Sequence, residues 1–105
     1  MGTLNRENLC PVCGFDLGFR AWHRGSGSQE ICPSCGIQFG YSDAAGGDPV
    51  KRKELHIKWR KAWTAKGCKW SDNNEEGIHP PSGWDPREQL KRIGQSDEAN
   101  GCQRE

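Results

Sequence analysis

Cys10-Pro11-Val12-Cys13-Gly14 and Cys32-Pro33-Ser34-Cys35-Gly36 repeat one pattern, Cys-Pro-x-Cys-Gly, with eighteen residues between the two pairs. In such a knuckle the proline sets the turn after the first cysteine, and the glycine takes the positive φ that ends it. Turn N–H groups can then point at the sulfurs. Two knuckles supply the four thiolates of one tetrahedral site, and the interval suits a short hairpin that carries the second knuckle back to the first. The pattern predicts a small α+β fold organised by one metal bound at Cys10, Cys13, Cys32 and Cys35. The competing reading, two disulfides, needs an oxidising compartment.

Residues 1–9 carry only Leu4 and Leu9 as apolar anchors, so the expectation is no signal peptide, no membrane anchor and a cytoplasmic chain whose thiols stay reduced. At 105 residues and 32% hydrophobic content, a conventional core would be marginal, and a metal staple is expected. Five tryptophans, Trp22, Trp59, Trp63, Trp70 and Trp84, are expected to supply packing that aliphatics do not. A net charge of +1 gives no overall bias toward nucleic acid or membrane, so electrostatic arguments rest on local clusters.

Phe15, Leu17, Phe19 and Ala21 alternate with Asp16, Gly18 and Arg20, and Ile37, Phe39 and Tyr41 alternate with Gln38 and Gly40. This period of two predicts two or three antiparallel strands, with Arg24-Gly25-Ser26-Gly27-Ser28 as the turn, in a knuckle-and-hairpin region over 9–42. Asp48 as N-cap and Pro49 at the first helical position open a helix over 49–66 that Gly67 ends. Its stripe Leu55, Trp59, Ala62 and Trp63 is predicted to lie on the small sheet. A loop over 71–84 follows. Asp85, Pro86 and Glu88 then open a short helix over 86–93 with a capping-box arrangement, Leu90 and Ile93 as its contacts and Gly94 as its end. Residues 1–94 read as one domain, and 95–105 as a flexible tail.

The knuckles resemble those of rubredoxins and zinc ribbons. The order of knuckle, aromatic strand, Glu30-Ile31-Cys32-Pro33 and a Gly/Asp loop before a helix is similar to the small bacterial cysteine-rich CPCC family, over residues 9–63. The first knuckle departs from that family, with Cys-Pro-Val-Cys where it has Cys-Pro-Cys-Cys. The resemblance implies a zinc-ribbon-like or rubredoxin-like metal-stabilised fold and brings no reaction with it. Proteins of this size and composition also look like immunity partners of bacterial toxins.

Zinc and iron both accept four thiolates. Zinc would be structural, whereas iron would make a rubredoxin-like electron carrier; the short interval favours zinc. Four equivalent thiolates close the shell, so a catalytic metal is not expected. His23 reads as a hairpin residue, and His56 and His79 have no companion at ligand spacing. Cys68, after Gly67, reads as a partly buried small hydrophobe and Cys102 as part of the polar tail, so neither is expected to be a nucleophile. The stretch from Lys51 to Lys69 holds eight cations against Glu54 alone. Lys51, Arg52, Lys58 and Lys61 on its helix are candidates for binding a partner, an acidic protein or nucleic acid, against the plainer reading of a solvated face. The tryptophans interleaved there sit at helical spacing, which favours packing over base stacking. The sequence thus predicts a non-enzymatic binding protein.

Overall fold

In the computed structural model of the chain, which describes residues 6–71, 80–95, 97 and 102, both knuckles are closed by the same backbone bonds. Cys10 N donates to Phe15 O and Gly14 N to Cys10 O; Cys32 N donates to Ile37 O and Gly36 N to Cys32 O, all at 2.7–2.8 Å. Leu9 bridges Asp16 and Ile31 bridges Gln38 at the base of each loop. The repeated sequence is therefore a repeated conformation, fixed by the same proline and the same positive-φ glycine. Gly14 has a second reason to be glycine: a Cβ there would stand 1.9 Å from the carbonyl oxygen of Gln89.

The hairpin is shorter than the alternation predicts. The sheet has two strands, β1 (Trp22–His23) and β2 (Ser26–Gly27), paired antiparallel with Trp22 opposite Gly27. Phe15 to Ala21 does not run as one strand, because Gly18 takes φ 82° and its N–H turns back to the Asp16 carboxylate. Likewise Gly40, at φ 89°, ends the run after Phe39 and leaves Tyr41 75% exposed. The alternation marks burial, with Ile37 and Phe39 fully enclosed, but the glycines break the ladder.

The long helix, α1, spans Pro49–Ala65; the Asp48 side chain accepts from the N–H groups of Val50 and Lys51, and Gly67 follows its end at φ 91°. Its inner face is not the predicted one. His56, Arg60, Trp63 and Thr64 are buried, Leu55 and Trp59 lie at the margin, and Ala62 is exposed. The helix is thus turned from the apolar stripe by about one residue, roughly 100°. Polar partners beneath it explain the turn. Asp43 is fully buried in the loop before α1, and its carboxylate accepts from Gly40 N (2.7 Å), Trp22 Nε1 (2.8 Å) and His56 Nε2 (2.6 Å).

Burial pushes the Asp43 carboxyl up, but the hydrogen bonds, that from His56 first, outweigh it and hold the group below the ordinary carboxylate value. A depressed folded-state value gives stability that is present above about pH 4, where the unfolded carboxyl ionises, and is lost as pH falls through the folded value. We expect Asp43→Asn to cost about 1–3 kcal/mol at neutral pH. It should also flatten the acid limb of a stability-versus-pH curve from denaturant midpoints. Acid release of a thiolate-bound metal would act on both proteins, so the difference in slope reports Asp43.

The short helix α2, Pro86–Arg92, is capped by the Asp85 carboxylate, which accepts from Arg87 N. Glu88 does not complete the box in the expected way; its carboxylate meets Lys91 Nζ at 3.4 Å. Leu90 is fully buried, and Gly94 follows the helix at φ 73°. Most of the loop expected over 71–84 lies outside the described residues. The fold is a small α+β arrangement, one two-stranded sheet and two helices among the described residues. Its core is the four knuckle cysteines with Val12, Ile37, Phe39, Trp63 and Leu90. Of the five tryptophans Trp63 is buried in this core and Trp22, Trp59 and Trp84 pack against it half-buried, so the indoles supply packing as expected around a centre built on sulfur.

Candidate metal centre

Cys10, Cys13, Cys32 and Cys35 meet between the two knuckles, with their Sγ atoms all within 4.8 Å of one another and each residue no more than 6% exposed. Cys10 Sγ lies 3.8 Å from Cys35 Sγ, and Cys13 Sγ 3.7 Å from Cys32 Sγ. A tetrahedron of thiolates at zinc's bond length of about 2.3 Å has edges of about 3.8 Å. A disulfide, by contrast, brings its sulfurs to about 2.05 Å. The close contacts cross between knuckles, as a shared ion requires and as two disulfides within Cys-x-x-Cys pairs would not.

Burial pushes the Cys32 and Cys35 thiols well above their ordinary value. At Cys13 burial acts the same way, but hydrogen bonds from the thiols of Cys10, Cys32 and Cys35 outweigh it and hold the group well below that value. Four thiolates enclosed together are unfavourable without a countercharge, which a divalent cation supplies. The donor set fits zinc or iron.

The carbonyls of the knuckles turn outward, and side chains from both helices satisfy them. Arg60 donates from Nε to Val12 O at 2.7 Å and from Nη2 to Pro11 O at 2.9 Å. Trp59 Nε1 donates to Cys35 O at 2.8 Å. From α2, Gln89 Nε2 lies 3.2 Å from both Cys13 O and Ser34 Oγ, and Arg92 Nη1 3.3 Å from Gly14 O. Ser71 N reaches Pro33 O and Ser34 O. Val12 N points inward to Cys10 Sγ at 3.4 Å. This second layer, above all Arg60 and Gln89, escapes sequence reasoning because it answers backbone acceptors far away in the chain. Polar residues at helical spacing around a marginal tryptophan, as at His56, Arg60 and Thr64, are the signal that could have found it.

Other candidates lie elsewhere. His23 Nδ1 lies 2.9 Å from Arg20 Nη1 on the surface, His56 is held by Asp43, and His79 falls outside the described residues. Of the proposed binding cations, Lys51, Lys58 and Lys61 are exposed, but the Arg52 guanidinium lies 3.6 Å over the Trp22 ring. Arg60, read with the basic stretch, is 7% exposed and faces the metal knuckle.

Cys68 and Cys102 correct the sequence reading: they form a disulfide across 34 residues, at 1% and 4% exposure. Cys102, placed in a free tail, is anchored. The separation, with no local motif, hides the pairing. The double Cys68→Ser, Cys102→Ser variant is expected to keep its metal, because neither sulfur belongs to the four-cysteine cluster. A thiol reagent applied to the unreduced protein should label neither position.

Among the described residues, no helix is long and apolar enough to cross a membrane. No family model, no curated protein and no solved structure matches this chain.

Proposed function

We propose that Cys10, Cys13, Cys32 and Cys35 hold one structural zinc ion, and that the protein acts by binding another protein through the exposed basic side of α1. The cross-knuckle sulfur spacings of 3.7 and 3.8 Å, matched to a tetrahedral edge, carry the metal part of this reading. The resemblance of the knuckles to zinc-ribbon and CPCC-type proteins supports it. With four thiolates there is no open coordination position for a substrate, and the role is binding rather than catalysis. The exposed ammonium groups of Lys51, Lys58 and Lys61 favour an acidic partner, such as the toxin that an immunity-type inhibitor would cover.

A protein partner is favoured over nucleic acid because the tryptophans on α1 are committed to the fold. Trp59 donates to Cys35 O and Trp63 to Lys69 O, and both pack on the cysteine core, so neither ring stands free with an open face for a base, and only part of their surface is left for an apolar side chain to pack against. A cytoplasmic location belongs to the same proposal and suits four reduced thiols; the buried Cys68–Cys102 bridge would have to withstand glutathione there. Elemental analysis of protein purified from its native cells tests the metal: one zinc per chain is expected. Iron instead, with a red colour and a reversible potential, would replace this reading with that of an electron carrier.

A further inference from the structure

The turn of α1 leaves Leu55 at the margin and Ala62 in water, two residues of the stripe that the apolar pattern assigns to the core. Lys51, Leu55, Lys58, Ala62 and Lys66 follow one another along one side of α1 at steps of three or four residues. A hollow opens at each end of this strip. One, about 330 Å3, is lined by Leu55 and Ala45 with Lys51 and Lys58 at its edge. The other, about 500 Å3, is lined by Trp59, Ala62, Trp63 and Trp70 with Lys66 and Lys69 at its edge, and Cys35 of the metal centre contributes to its wall.

Each hollow thus pairs an apolar floor with two lysines. The indole N–H groups of Trp59 and Trp63 donate inside the fold, so these two rings offer apolar surface to whatever enters. Among the described residues, none of the four ammonium groups is paired with a carboxylate. Among the described residues that line the two hollows, only Glu54, at the smaller one, opposes them.

We propose that this strip is a docking groove for an acidic amphipathic helix of a partner protein, which seats one apolar side chain in each hollow and sets its carboxylates against Lys51, Lys58, Lys66 and Lys69. Leu55 and Ala62 are two turns apart, about 10 Å along the axis. A helix lying beside α1 reaches both hollows with residues at i and i+7, and its acidic residues flank that seam. Charge complementarity selects this occupant: a neutral apolar segment would leave four ammonium groups unanswered at the rim. The inference rests on the reading of α1 as the binding face and specifies which side of it binds.

The test is selection of binders from a displayed library of random 16-residue peptides on the zinc-loaded full-length chain, followed by fluorescence polarisation with the best peptide. Recovered peptides should be acidic, with apolar residues seven apart. Ala62→Arg, and separately the Lys66→Glu, Lys69→Glu pair, should each weaken the best peptide at least tenfold, with zinc content and thermal unfolding unchanged. Lys53→Glu, an exposed lysine of α1 that lies off the strip, should change affinity less than threefold. Acidic peptides that lose affinity with Lys61→Glu but not with Ala62→Arg would overturn the groove and leave the basic face as the binding surface. Recovered peptides without acidic enrichment, or a single-stranded oligonucleotide that displaces the best of them from the groove, would overturn both readings.

Discussion

Cys32→Ser is expected to abolish stoichiometric metal binding and, with it, the native fold at room temperature. Cys32 is fully buried and belongs to both features that define the centre, the knuckle bond to Ile37 O and the cross-knuckle contact with Cys13 Sγ. A serine there puts a neutral hydroxyl among three thiols, where it is a poor ligand for a soft site and has no water to replace the lost partner. Structural zinc in small domains binds with about 10–16 kcal/mol, and a domain is stable by about 5–15 kcal/mol, so losing most of the former removes the latter. The knuckles also form the core, so no separate apolar nucleus remains to hold the helices. Elemental analysis and far-ultraviolet circular dichroism, with and without added zinc, read the outcome. A Cys32→Ser protein with full zinc content and a wild-type spectrum would show that the four sulfurs are not the ligand set.

Arg60→Leu should be the most damaging change outside the cysteines, about 2–5 kcal/mol, because it strips donors from two carbonyls of the first knuckle at a cost of about 1–3 kcal/mol each. Arg60 sits on the inner face of α1 at 7% exposure, with Nε on Val12 O and Nη2 on Pro11 O. Its charge also lies on the side of the molecule where four thiolates around a divalent ion would carry net negative charge. Arg60→Lys keeps the charge but loses the rigid fork, so its stability should fall between wild type and Arg60→Leu. Lys61→Glu, the next residue and exposed, should shift stability by no more than about 0.5 kcal/mol. Denaturant midpoints on the zinc-loaded proteins give the comparison. Equal midpoints for wild type and Arg60→Leu would mean that the knuckle carbonyls do not depend on this side chain.

The local parts of the fold are legible in the chain. Cys-Pro-x-Cys-Gly specifies a turn within five residues, and both copies adopt it; Asp48-Pro49 and Asp85-Pro86 start helices with their own side chains; Gly67 and Gly94 end them with their own φ. The meeting of the two knuckles was legible too, because two matched Cys-x-x-Cys pairs at this interval supply the four ligands of one metal site. The strands are shorter than the alternation suggests, since alternation reports which residues are buried while Gly18 and Gly40 decide whether the backbone stays extended.

How α1 lies on the centre depends on contacts between residues far apart in the chain. From the sequence, Leu55, Trp59, Ala62 and Trp63 form the best apolar stripe, and hydrophobic burial alone would turn them inward. The surface beneath is not simply apolar. It offers the Asp43 carboxylate and the carbonyls of Pro11, Val12 and Cys35, acceptors that must find donors once they are buried. His56, Arg60 and the Trp59 indole answer them, so the helix rolls toward its polar side and leaves Ala62 in water. The pairing of Cys68 with Cys102 was equally hidden, because nothing within a turn of either residue names the other. Helix caps and metal knuckles are satisfied by near neighbours in sequence, whereas a buried carbonyl or a lone thiol is satisfied by whatever the folded chain brings to it.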